Sequence, residues 1–335
     1  MTAAVVEFSP ESRFTLVRVE SLHDDFAADV RNGLTQPRKS LPPRWFYDDV
    51  GSALFDTICF LPEYYVTRAE TEVLTSFRHD IVASFGPHVR LVELGSGMAR
   101  KTRILLDVLS ARQHEIEYMP VDVDAAILER SSRDLLTEYQ RLRVLALCSD
   151  FSRPSIPLGA LPPSRARTIV LFLGSTIGNL DPEAAVSMLR DLRSALAPGD
   201  ALLLGADLRK DRSILEPAYD DPLGVTAAFN LNLLQRINRE LGGHFDLGGF
   251  AHRAFYDAEL GRIEMHLVSR REQRVRIDAL DLDVAFAEGE TIHTENSHKY
   301  DEETLRTLAR ESGFAVEHLW SDKRRWFADV LMVAS

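Results

Sequence analysis

The chain has 335 residues, 45% of them hydrophobic, which is enough to bury more than one core. Its 39 basic and 51 acidic residues leave a net charge of −12, a poor match for phosphate backbones, so no nucleic-acid partner is expected. Cys59 and Cys148 stand far apart with no CxxC pattern, which excludes a disulfide scaffold or a cysteine-bound zinc and suits a cytoplasmic location. The start, MTAAVVEFSPESRF, lacks the pattern of a signal peptide, and no apolar run reaches membrane-spanning length, so no membrane partner is expected.

Thr67-Arg68-Ala69-Glu70 has the pattern of a capping box and predicts a helix start. VRLVELGSG (89–97) reads as a strand ending in glycines, and KTRILLDVLSAR as a helix with Ile104, Leu105, Val108 and Leu109 on one face. IEYMPVDVD (116–124) is a second strand, followed by a helix over 124–139; RVLALCSDF is a third strand and RTIVLFLG a fourth. A helix opens at Asp181-Pro182 and closes before Pro198-Gly199, and DALLLGADL is the fifth strand. Near-continuous apolar strands separated by helices predict a doubly wound parallel α/β sheet. The rhythm breaks over 208–299. That segment holds a long helix at 222–241, a hairpin of AHRAFYDAE and GRIEMHLVSR, and EQRVRIDAL as its possible extension. It resumes at Asp301 with the helix EETLRTLARES and two closing strands, FAVEHLWSD and WFADVLMVAS. The expected division is 67–207 with 300–335 as the core. A smaller α+β domain, from 20–66 and 208–299, is inserted between the fifth and sixth strands, and 1–19 is a flexible N-terminal segment.

Three strand ends carry chemistry. Glu93-Leu94-Gly95-Ser96-Gly97 precedes a helix, where glycines let a ligand approach the backbone or simply make a tight turn. A dinucleotide fingerprint wants a glycine at position 100, where Arg100 stands. E-x-G-x-G is similar instead to the first motif of class I S-adenosylmethionine methyltransferases. Asp122 ends the second strand, where a carboxylate can accept ribose hydroxyls, and Asp150-Phe151 ends the third, an acid and an aromatic suited to adenine. Asn179, in IVLFLGSTIGNL, lies near a helix N-terminus, where its amide either holds an anion such as a carboxylate or bonds its own turn.

SLPPRWFYDDVGSALFD, LPEYYVTRAE, VELGSG, FLGSTIGNL, AYDDPLGVTAAFN, GRIEM and TENSHKY occur in this order. Together they closely resemble the ergothioneine-pathway L-histidine Nα-methyltransferase family, from about residue 25 onward. The resemblance implies a Rossmann-like methyltransferase core that binds S-adenosylmethionine through Gly95, Lys101, Asp122, Asp150 and Phe151. It implies a second domain for the amino acid and trimethylation of the α-amine of L-histidine to hercynine; separately, a monomer without a metal is expected. Tyr64, Asn179 and Tyr219 would be the catalytic set: Asn179 and Tyr219 on the substrate carboxylate, Tyr64 by its amine. Tyr47 would stand nearby, Gly174 and Met265 would line the pocket, and Glu295 and Ser297 would hold the imidazole.

If 291–299 is extended, Glu295 and Ser297 share a face and Asn296, where the family has a small apolar residue, points away. His293 and His298 are five apart on opposite faces of such a strand, which speaks against a metal site. Another aromatic amino acid, such as tryptophan, is the alternative substrate; an indole offers one donor and no ring acceptor, so a carboxylate beside a hydroxyl favours histidine.

Overall fold

The computed structural model describes residues 12–18, 26–149 and 164–335. They divide into two units. One comprises the described parts of Met1–Leu22, Arg68–Leu208 and Tyr300–Ser335, the other those of His23–Thr67 and Arg209–Lys299.

The first unit is built on an eight-stranded sheet of β1 (Phe14–Arg18), β3 (Val89–Leu94), β4 (Ile116–Asp122), β5 (Leu142–Cys148), β6 (Arg167–Phe172), β7 (Ala201–Asp207), β13 (Phe314–Ser321) and β14 (Phe327–Ala334). Their order is β1-β5-β4-β3-β6-β7-β14-β13. Neighbours from β1 to β7 run parallel; β14 is antiparallel to both β7 and β13. Alternate residues of one strand serve opposite faces. Leu91 and Ile169 pack with Leu105 and Leu109 of α4 (Thr102–Arg112), Leu128 and Leu135 of α5 (Ala125–Glu138), and Ile81 and Phe85 of α3 (Tyr65–Phe85). Val92 and Val170 pack with Met188 and Leu192 of α6 (Pro182–Ser194) and Leu305 of α9 (Glu302–Glu311). Both faces are therefore apolar, which is why these strands read as unbroken hydrophobic runs. Each fully buried Leu or Val contributes about 1.5–3 kcal/mol relative to exposure.

Two expectations need correction here. The stretch 1–19, expected to be flexible, carries β1, which pairs in parallel with β5 from Phe14↔Val144 to Arg18↔Cys148. The Arg13 guanidinium anchors it by donating to Leu136 O, Tyr139 O and Gln140 O at the end of α5. The helix expected to start at Thr67 begins at Tyr65, and Glu70 does not close a capping box; its carboxylate has long-range partners, described below.

The second unit has a four-stranded sheet, order β2-β12-β9-β8: β2 (Lys39–Ser40), β12 (Thr291–His298), β9 (Arg262–Ser269) and β8 (Phe250–Asp257). The long helix α8 (Val225–Leu241) starts at Val225, where Asp221 accepts from Val225 N and Thr226 N, and ends at Gly242 in the left-handed conformation. Asp48 caps α2 (Asp49–Ile58) through Gly51 N at 2.7 Å. It also accepts from Asn232 Nδ2 at 2.8 Å and Arg239 Nη2 at 2.6 Å, tying α2 to α8. Phe46 stacks on Phe229 of α8 at 4.4 Å. EQRVRIDAL does not extend the β8–β9 hairpin. Its strand β10 (Gln273–Ile277) pairs with β11 (Leu282–Phe286) in a separate two-stranded sheet. Among the described residues, no helix is long and apolar enough to cross a membrane.

Candidate functional site

In the first unit, the candidate residues collect at the carboxyl ends of the parallel strands. The loop after β3 turns through positive φ at Gly95 and Gly97, 70° and 47°. Asp122, the last residue of β4, accepts from Gly97 N at 2.9 Å through one oxygen and from Asp124 N at 3.1 Å through the other. Each oxygen keeps a lone pair beyond its backbone donor. Burial raises the Asp122 pKa, with the Gly97 bond opposing it. Ser96 Oγ in the same loop is buried without a hydrogen-bond partner, a polar group placed to meet a ligand. Asp150 and Phe151 lie outside the described residues.

Beneath the loop, Glu93 is buried. It accepts from Thr102 Oγ1 at 2.7 Å and from the Tyr118 hydroxyl, and burial lifts its pKa to about 7. Lys101 is ion-paired with Glu70; burial works against its charge, but the Glu70 carboxylate outweighs that and raises its pKa. Glu70, itself fully buried, accepts through its other oxygen from Gly174 N at 2.7 Å. A Cβ at Gly174 would lie 3.1 Å from Lys101 Nζ, and φ there is +79°, so glycine is the fitting residue. Asp329 on β14 has no hydrogen-bond partner for either oxygen; burial first, and Glu70 second, push its pKa well above the usual carboxylate range.

Asn179 lies beyond the end of the fourth strand. β6 stops at Phe172, Ser175 takes a left-handed conformation (φ 58°), and Asn179 closes a short 3-10 turn, Thr176–Asn179, just before α6. Its amide makes no hydrogen bond to any described residue, so it does not cap its own turn. A half-buried donor group near a helix N-terminus fits an anion.

In the second unit, aromatic and polar groups cluster. The Tyr64 ring meets Phe55 and Tyr219 edge-on, each at 6.2 Å; the Tyr47 ring meets Phe55 at 5.7 Å. Burial, then the neighbouring Tyr219, pushes the Tyr64 pKa well above its ordinary value, so Tyr64 stays a neutral phenol and is unsuited to act as a base. The Tyr219 hydroxyl and Ser297 Oγ are 2.8 Å apart, and buried Lys299 donates from Nζ to both at 2.8 Å. Behind Tyr219, neutral His252 bonds Tyr219 O through Nε2 at 2.8 Å and meets Asn230 Nδ2 through Nδ1 at 2.9 Å; burial lowers its pKa. Met265 pairs with Glu295 across the β9–β12 ladder, and Ser297 pairs with Ile263. Met265 and Ser297 are buried, while Asn296 pairs with Glu264 on the partly exposed face. Lys299, His252 and Asn230 were not singled out in the sequence, and Glu70 was read there only as a helix-capping acid. A lysine two residues beyond Ser297 was the only local signal among them.

A model of histidine-specific, S-adenosylmethionine-dependent methyltransferases matches residues 26–334. The chain is 46% identical to a histidine N-alpha-methyltransferase of Mycolicibacterium smegmatis, over 90% of this chain and 93% of that protein. It is also 46% identical to one of Mycobacterium tuberculosis, over 88% and 90%. Ergothioneine biosynthesis protein 1 of Schizosaccharomyces pombe is 31% identical over 83% of this chain, which spans 36% of that longer protein. Among solved structures, a magnesium protoporphyrin IX methyltransferase from Synechocystis with bound SAH has a TM-score of 0.44 at 12% identity, covering 87% of this chain and 98% of that one. With a family model spanning nearly the whole chain and relatives at this identity, the chain belongs to the histidine-specific, S-adenosylmethionine-dependent methyltransferases.

Proposed function

We propose that this chain transfers three methyl groups from S-adenosylmethionine to the α-amine of L-histidine, giving hercynine for ergothioneine biosynthesis. The observation that carries the reading is the set Tyr219, Met265, Glu295 and Ser297 within one unit of a chain of this family. A carboxylate and a hydroxyl suit the two nitrogens of an imidazole better than the single N–H of an indole, so tryptophan is not favoured.

Bound S-adenosylmethionine supplies an already activated methyl. The residues that would hold it are Gly95, Asp122 and Lys101, with Asp150 and Phe151; the Ser96 hydroxyl without a partner and the backbone-anchored Asp122 carboxylate fit such a polar ligand. The protein's work is then alignment and exclusion of water. Asn179 and Tyr219 take the carboxylate, Gly174 and Met265 line the pocket, and Tyr64, with Tyr47 near it, orients the amine by a neutral hydroxyl. Water carries away each proton that the amine releases, because a buried phenol with a raised pKa does not accept one. Aromatic faces of Tyr64 and Tyr47 suit the trimethylammonium product. The reading includes a monomer in the cytoplasm, without nucleic-acid or membrane partners.

The test is to incubate the purified protein with S-adenosylmethionine and each amino acid separately. Histidine should gain 42 mass units, about three methylenes' worth, all on the α-nitrogen by NMR. Ring N-methyl signals, or a reaction halting at one methyl, would refute it.

A further inference from the structure

β9 turns Glu264 and His266 to its partly exposed face and Ile263, Met265 and Leu267 to its buried one. In the antiparallel register His293 of β12 stands opposite His266, and Asn296 opposite Glu264. Residues three apart face oppositely on a regular strand; the register shift between His293 and Glu295 lets His293 and Asn296 share a face. A ring nitrogen of each histidine and a carboxylate oxygen of Glu264 lie within 4.8 Å of one another. Glu264 Oε2 is 2.9 Å from His266 Nε2, Asn296 Oδ1 is 2.8 Å from His293 Nε2, and His266 Nδ1 is buried without a hydrogen-bond partner.

We propose that Glu264, His266 and His293 bind one divalent transition-metal ion, Zn2+ being the best match, on this face of the second unit's sheet. Two imidazoles and one carboxylate make a known three-ligand zinc set, whereas Mg2+ and Ca2+ prefer all-oxygen sites. Zinc bonds of about 2.0–2.1 Å put tetrahedral ligand atoms about 3.3 Å apart. The trio must close from 4.8 Å by about 1.5 Å at most, which side-chain torsions can supply. The ion displaces the proton held between His266 Nε2 and Glu264 Oε2. Asn296 on His293 is the kind of outer partner that orients a ligating ring. Two cations oppose the ion: Arg262, bonded to Glu264 Oε1 at 2.6 Å, and Arg253, whose charge bears on His266. The site is therefore weaker than one with the same three ligands and no cation beside them. Once bound, the ion would tie β9 to β12, the strands that carry Met265, Glu295 and Ser297. The reading along one strand, which weighed His293 against His298, missed this site because its other ligands come from β9.

The test uses the tag-free, chelator-treated full chain, without histidine, which itself chelates zinc. Calorimetry with Zn2+ should give one site per chain, Co2+ should develop the visible bands of a low-symmetry site, and Mg2+ should do neither. The double variant His266→Asn/His293→Asn should lose the site, and Glu264→Gln should weaken it about ten-fold, with S-adenosylmethionine binding retained in both. Glu264→Gln keeps the side chain's shape, so it reports even if the double variant folds poorly. No saturable binding to the parent chain, or equal binding by Glu264→Gln, overturns the proposal.

Discussion

Replacing Glu93 by glutamine should make the protein more stable at neutral pH and leave it unimproved in acid. The carboxyl is buried at the end of β3, and burial raises its pKa from 4.5 to about 7 despite the hydroxyls of Tyr118 and Thr102 that donate to it. A raised acid pKa means that the folded state holds its proton more tightly than the unfolded chain does. That stability is fully present below 4.5 and is lost as pH rises toward 7, since the unfolded chain ionises first. At about 1.36 kcal/mol per pH step across that interval, the loss at neutral pH is about 3 kcal/mol. Glutamine keeps the shape and does not ionise: its carbonyl can accept from Tyr118 and its amide can donate to Thr102 Oγ1. Urea unfolding of both proteins from pH 4.5 to 8 should show the variant gaining on the wild type by about 1.4 kcal/mol per pH step and levelling off above pH 7. Any constant packing cost of the amide shifts that curve without changing its slope. A stability difference that does not vary with pH would refute the reasoning.

Three further outcomes are expected. Asp122→Ala should weaken S-adenosylmethionine binding by about 1.5–3 kcal/mol, the worth of a charge-assisted contact, as read by calorimetry; unchanged affinity would remove Asp122 from the donor site. Glu295→Ala with Ser297→Thr should raise KM for histidine and improve relative use of tryptophan, while Asn179→Ala should lower kcat/KM for both; an equal loss for both amino acids in the first variant would make Glu295 and Ser297 structural. Lys299→Met removes the ammonium that donates to both the Tyr219 and Ser297 hydroxyls, so histidine affinity should fall about ten-fold or more with S-adenosylmethionine affinity intact, by titration calorimetry with each ligand.

Much of the fold was legible because the sheet is covered on both faces. RTIVLF and ALLLGAD could hardly be anything but central strands, and the helices between them announced their ends, Asp181-Pro182 most plainly. The errors fell where local pattern and long-range pairing compete. Glu70 sits three residues after Thr67 and reads as a capping acid, yet its carboxylate reaches Gly174 N, 104 residues on. FTLVR is too short to stand out until β5 lies beside it. Gln273–Ile277 has strand character, but nothing in those five residues says whether β9 or β11 will be its partner. The site shows the same division. Glycines, Asp122 and Asn179 are visible because strand ends have a known use, whereas Lys299 contacts Tyr219 across 80 residues and His252 is an unremarkable histidine until it is seen behind the Tyr219 carbonyl.

The strand that enters ahead of the rest of the first unit has a practical side. Without β1, the outermost strand of the sheet would be β5, whose LRVLALC would present a flat row of unpaired amides and carbonyls flanked by buried apolar side chains. Such an edge is a template for any other extended chain, and it carries one arginine and no proline to discourage pairing. FTLVR therefore acts as a cover against self-association, and Arg13 is the clasp that holds it. A protein trimmed to the family-matched span, which begins at residue 26, would keep every candidate site residue and lose that cover. It should aggregate on concentration, by light scattering, at protein levels where the full chain stays dispersed.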